Sequence, residues 1–128
     1  MTVWYEGLTK PCDMVAGVVL HSEDTKSVAC GDNYVLYADP TDNPAKQNFR
    51  ISFASCKPFI SGISMYDNPV NGNAGHGVGL ITYQPNEKYT YYFGSAWSKN
   101  DVRTFNEWNL RSKEYLKALH SPLKVTVK

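Results

Sequence analysis

Only one stretch of this chain repeats with a helical period, and it lies near the C-terminal end. Trp108, Tyr115, Leu116 and Leu119 recur at the spacing that lines one face of a helix. Thr104 and Glu107 stand three residues apart, the arrangement of a capping box, in which a hydroxyl and a carboxylate satisfy the first unpaired N–H groups reciprocally. His120 in the last turn and Pro122 beyond it are stop signals. The spacing predicts a helix over 104–120. Every other apolar run is short, β-patterned and bounded by turn residues. Many strands, one late helix and one last strand fit a twisted antiparallel sheet or sandwich with one packed helix.

The strands read as follows. "DMVAGVVLH" (13–21) is a valine-rich run with the character of a buried strand. Gly31, Asp32 and Asn33 supply turn chemistry before a strand at 34–38. "DPTDNPAKQN" is polar and carries two prolines, as a loop does. "FRISFASC" alternates, with Phe49, Ile51 and Phe53 facing one way. "LITYQ" and "YTYYF" flank "PNEK" as a hairpin would. In the second, Tyr89, Tyr91 and Phe93 share one face, assigned to the core, and Tyr92 faces the helix stripe. The closing "LKVTVK" predicts a final strand over 122–128, with Leu123, Val125 and Val127 inward and lysines outward on a protected edge. Together these give a mostly β chain: an antiparallel β-sandwich, supersandwich-like, with one C-terminal helix and a last strand.

A chain of 128 residues fits one domain, and 42% hydrophobic with 20% charged residues is the composition of a globular protein. A net charge of +1 with no basic stripe argues against nucleic-acid binding. No run is long enough to cross a membrane as a helix. The opening "MTVWYEGLTK" lacks the apolar core of a signal peptide and runs at once into Trp4 and Tyr5. The expectation is a piece of a longer protein, with any signal sequence upstream. Cys12, Cys30 and Cys56 form no C-x-x-C pair, which disfavours structural zinc. One disulfide with a free thiol, or three free thiols, both fit.

Candidate chemistry is sparse. "GHGVG" (75–79) lacks the lysine and hydroxyl of a phosphate loop and the helix of a dinucleotide fingerprint. Within the glycine- and asparagine-rich 67–79 it reads as a long loop whose glycines adopt positive φ. "DNPVNGN" imitates the start of an EF-hand, but Pro69 and Val78 stand where ligands belong. An irregular calcium site at Asp67 and Asn71, or at Asp39 and Asp42, stays open; no other cofactor is expected. Of the three histidines, His76 ranks first as a base because it falls in the presumed loop. Twelve acids make a catalytic pair available without locating it. After "YTYYF" the chain turns through Gly94, Ser95 and Ala96 to Trp97, with Lys99 and Arg103 near. A tryptophan there either anchors the helix or stacks on a sugar, with lysine meeting a carboxylate.

The pattern Tyr-Tyr-Phe-Gly-Ser-x-Trp-Ser-Lys, the pair Glu107 and Trp108 on the helix, and the terminal "SPLKV" resemble the C-terminal part of a bacterial family of unknown function. That family occurs in Bacteroidetes polysaccharide-utilisation systems, and the likeness covers residues 77–127. The resemblance implies a galactose mutarotase-like β-sandwich, a periplasmic or extracellular parent protein, and an oligosaccharide or polysaccharide partner; it carries over no catalytic residue. The functional expectation is a domain that binds or helps process an acidic polysaccharide, pectin- or ulvan-like, through Trp97, Lys99, His76 and Tyr83. Two alternatives remain: a mutarotase-like sugar isomerase, hydrolase or lyase using a loop histidine, and a contact domain with no ligand, which packs against the rest of a longer chain.

Overall fold

The chain is organised around a strand that is buried on both faces. Val35, Leu36, Tyr37, Ala38 and Asp39 are each at most 3% exposed. Side chains alternate along a strand, so both sides of this one must be covered. The computed structural model describes residues 1–40, 47–55 and 60–127 and shows how the covering is done.

Among the described residues, eight strands form two antiparallel sheets. They are β1 (Thr2–Val3), β2 (Cys12–Leu20), β3 (Val28–Gly31), β4 (Tyr34–Pro40), β5 (Gln47–Ser55), β6 (Ile60–Val70), β7 (Asn73–Tyr83) and β8 (Tyr89–Trp97), followed by the helix α1 (Phe105–His120). One sheet has the order β1-β8-β5-β4-β3 and the other β2-β7-β6. The smaller sheet packs on one face of the larger, with β2 and β7 over β4 and β5 and β6 over β3 and β4. The helix covers the opposite face. Two cores result. Between the sheets, Val35, Tyr83 and Tyr89 pack with Met14, Ala16, Val28 and Ile81. Under the helix, Leu36 and Ala38 pack with Val102, Trp108 and Leu116.

The glycine-rich stretch is not a loop. β6 and β7 form a hairpin across Asn71 and Gly72, whose φ angles of 52° and 76° are those of a two-residue type I′ turn. Asn-Gly is the strongest short hairpin signal, and it is the signal to which the loop reading of 67–79 gave too little weight. Pro69 is tolerated because β6 is an edge strand and its pairing is irregular between Met65 and Val70. Gly75, Gly77 and Gly79 are absent from the positive-φ residues. They lie in extended backbone, and at Gly77 the reason is space. A Cβ there would stand 2.9 Å from Val35 Cγ1. Gly77 on β7 lets the bulky face of β4 come close.

Other expectations hold or fall on similar grounds. The helix starts at its predicted cap: Thr104 Oγ1 accepts from the Glu107 N–H at 3.1 Å, while Glu107 Oε2 accepts from the Arg103 N–H at 2.8 Å, one residue outside the usual box. Tyr92 faces the helix as predicted, edge-on to Tyr115. β7 and β8 do not form a hairpin. They belong to different sheets, and the loop between them, with Asn86 at a φ of 63°, carries the chain from one layer to the other. Phe93 is 66% exposed rather than in the core. The cause is a mismatch in width: three strands cover only part of five. The expected last strand is absent. Residues 122–127 pair with no described strand, and Leu123, Val125 and Val127 are 85–95% exposed. Cys12 and Cys30 are free thiols, and Cys56 lies outside the described residues.

Gly77→Ala is expected to lower stability by about 1–3 kcal/mol through overpacking against Val35. Gly62→Ala, where an added Cβ meets nothing within 4 Å, is expected to stay within about 0.5 kcal/mol of the parent. Urea unfolding midpoints of the two variants check this.

Candidate functional site

The four residues singled out from sequence do not meet. Trp97 ends β8, 38% exposed, with Lys99 Nζ 5.9 Å from its ring centroid, so these two are together. Tyr83 is 2% exposed and belongs to the core between the sheets, beside Tyr89 at the other end of β8. Eight residues of strand separate Tyr89 from Trp97, about 26 Å at the usual rise. The Tyr83 hydroxyl donates to the Glu87 carbonyl and accepts from the Tyr5 N–H at 3.3 Å, closing the loop after β7. His76 sits mid-strand on β7, in register with Val19 and Ser64, on the outer face of the smaller sheet. Its Nδ1 lies 2.9 Å from the Tyr66 hydroxyl, and the rings meet edge-on.

The proposed calcium ligands fare differently from one another. Asp67 and Asn71 line one open concavity of about 570 Å³ at the tip of the β6–β7 hairpin, with Asn68 and Asn73. A single carboxylate among amides is a weak donor set for calcium. Among the described residues no group of three or more His, Cys, Asp or Glu side chains could hold a metal. Asp39 is turned inward to His21, and Asp42 lies outside the described residues.

A recess lies between β8 and α1. It measures about 360 Å³ and is framed by Tyr92, Trp108 and Tyr115, with Arg111 and Ser112 on the helix side and Gly94 and Ser95 on the strand. Its origin is local. Tyr92 and Ala96 pack against the helix, but Gly94 between them carries no side chain, and a Cβ placed there would meet nothing within 4 Å. The facing helix position is the small Ser112. Two small residues opposite one another leave a gap walled by rings. Ser112 is 1% exposed, and its Oγ has no hydrogen-bond partner among the described residues. A buried hydroxyl with no partner favours a ligand that supplies one. Arg111 is steadied by Glu107 at 3.1 Å and Asp101 at 3.5 Å. A guanidinium has five N–H donors, so these contacts use only part of its capacity.

A second cluster closes one end of the sandwich. His21 Nδ1 lies 2.8 Å from Asp39 Oδ1, and the Asp39 side chain is 5% exposed while that of His21 is 45% exposed. The Tyr37 hydroxyl accepts from the His21 N–H at 2.9 Å. Burial pushes the Tyr37 phenol above its ordinary value; the His21 N–H opposes this and the Asp39 charge adds to it. The cluster joins the end of β2 to the end of β4, residues eighteen apart in sequence.

Comparison with known families gives one match. The model of a domain of unknown function, DUF4861, covers residues 1–125. The chain belongs to this family. No curated protein matches the chain, and no solved structure does. In this DUF4861 domain Trp108 and Tyr115 were visible in sequence as helix stripe, Tyr92 as strand and Gly94 as turn glycine, while Arg111 and Ser112 carried no signal. Nothing in sequence brought them together, because the groove is made by which strand the helix covers. His21 and Asp39 carried a fainter signal: a histidine ending one buried strand and an acid ending the next.

The folded state holds the Tyr37 proton more tightly than the unfolded state does. Its contribution is therefore complete below the ordinary tyrosine value of 10.0 and is lost as pH rises through the raised folded value. Tyr37→Phe is expected to lower stability by about 1–2 kcal/mol at neutral pH through the lost hydrogen bonds. The same variant should show a shallower decline in alkali than the parent. Unfolding midpoints measured from pH 7 to 11 check both parts.

Proposed function

We propose that this domain binds an acidic sugar chain in the groove between β8 and α1. The observation that carries the reading is the combination in one recess of three aromatic walls, a buried unpaired hydroxyl and an arginine at the rim. Aromatic faces suit the apolar face of a pyranose ring, and a guanidinium suits a uronate carboxylate. The groove volume of about 360 Å³ lies within the range of small-ligand sites. The resemblance of 77–127 to a polysaccharide-utilisation family supports the same substrate class, pectin- or ulvan-like, and a periplasmic or extracellular setting. Trp97 and Lys99 lie at the end of the same strand, but Trp97 stands on the face of β8 turned away from the helix. Lys99 already lies over the Trp97 ring, so this pair is secondary to the groove.

A second reading, a sugar isomerase, hydrolase or lyase, is favoured by one observation. His21 stands within hydrogen-bond reach of a buried carboxylate, the arrangement that orients a general base. The described partner of His76 is a tyrosine instead. In this reading His21, rather than His76, moves the proton.

The test is a titration with oligogalacturonides, rhamnogalacturonan and ulvan fragments, following the Trp108 indole N–H and the amides of Gly94 and Ser95 by NMR. Saturable shifts at these positions are expected. Arg111→Gln should weaken binding about tenfold, the loss of one charge-assisted hydrogen bond. Gly94→Leu should abolish binding by filling the recess. Absence of shifts with every glycan, or shifts confined to Trp97 and His76, would remove the groove as the site. Turnover of a bound glycan that His21→Gln abolishes would favour the second reading.

A further inference from the structure

The sandwich is open along one side. β2 lies over β4 and β5, so the place beside β2 and above β8 holds no described strand. At one end of β8 this gap is filled: Leu8 packs against the cluster that holds Tyr83 and Tyr89. At the other end it is not. Phe93 and Trp97, on the same face of β8, are 66% and 38% exposed. The register β8–β5–β4 sets this bare end level with Asp39, and hence with the end of β2 that His21 follows. β2 itself is a nine-residue edge with unbroken pairing to β7 and no lysine, proline or bulge. Edges of that kind invite another strand.

The chain also carries a segment that fits the gap. Residues 123–127 alternate apolar and polar, with Leu123, Val125 and Val127 on one side, all 85–95% exposed. Three apolar positions over four residue steps span about 13 Å, the same reach as Phe93, Ser95 and Trp97 on β8. Lys124 and Thr126 would fall on the solvent side. In this molecule the segment is seated on nothing described. A reciprocal exchange between two copies fills both gaps at once and makes a closed two-fold assembly. We propose that residues 123–127 of a second copy add as a strand to the free edge of β2 and cover Phe93 and Trp97.

Sedimentation velocity on the full chain from 1 to 100 µM tests this, with Val125→Asp and Phe93→Asp as variants. Both positions are exposed, so neither change touches a core. The expected result is a dimer at the upper concentrations and at least tenfold weaker association for each variant. Hydrogen exchange supplies the position: amides of 15–20 on β2 should exchange at least tenfold more slowly in the dimer than in the Val125→Asp monomer. A parent chain that stays monomeric across the range overturns the proposal, including the case where its own tail folds back onto β2. So does a dimer that Val125→Asp leaves intact, or protection that appears on β8 in place of β2.

Discussion

The close approach of β4 to β7 is the contact on which the remaining structure depends. A strand that carries Val35 and Tyr37 on one face and Leu36 and Ala38 on the other can be buried only if each side offers it room. On one side the room comes from Gly77 in β7; on the other it comes from a helix that presents Trp108 and Leu116 to Leu36 and Ala38 of β4. The layer order of sheet, sheet and helix follows from those two accommodations. So does the position of the groove, because the helix is held over β8 by the same aromatic stripe that walls the recess.

The sequence was most readable where pattern and period are local. The helix, its cap, and the strands at 13–21 and 34–38 announced themselves through spacing. The reading failed where a residue has two physical uses. Glycine serves positive φ angles and also close backbone approach; in β7 the second use applies, and it can be recognised only from the partner, Val35, some forty residues earlier. Asn71 and Gly72 did carry a local signal, outweighed by the glycines around them. Leu123, Val125 and Val127 show the converse. Their alternation is a sound strand pattern, but a strand needs a neighbour, and alternation says nothing about where one stands.

The candidate site was less legible than the fold for a related reason. Gly94 and Ser112 are unremarkable in isolation, and the space between them exists because one lies on a strand and the other on the helix that crosses it. His21 and Asp39 likewise meet because β2 and β4, in different sheets, end at the same height. The sequence supplied the ingredients of a sugar site in Trp97, Lys99, His76 and Tyr83. It placed emphasis on Trp97 and His76, which the fold sends to different faces.

The pairing of β2 with β7 has a consequence for how the chain reaches its native state. Each residue of β2 finds its partner more than fifty positions later, and β1 finds β8 later still. The β3–β4, β4–β5 and β6–β7 pairs join neighbours in sequence. Non-local pairing delays the reward for losing chain entropy, so the native sandwich forms slowly relative to its size. Until β7 is in place, β2 has no described strand to pair with. A ribosome would release most of this domain before β2 could be paired, and the β6–β7 hairpin that finally receives it acts as the keystone of assembly.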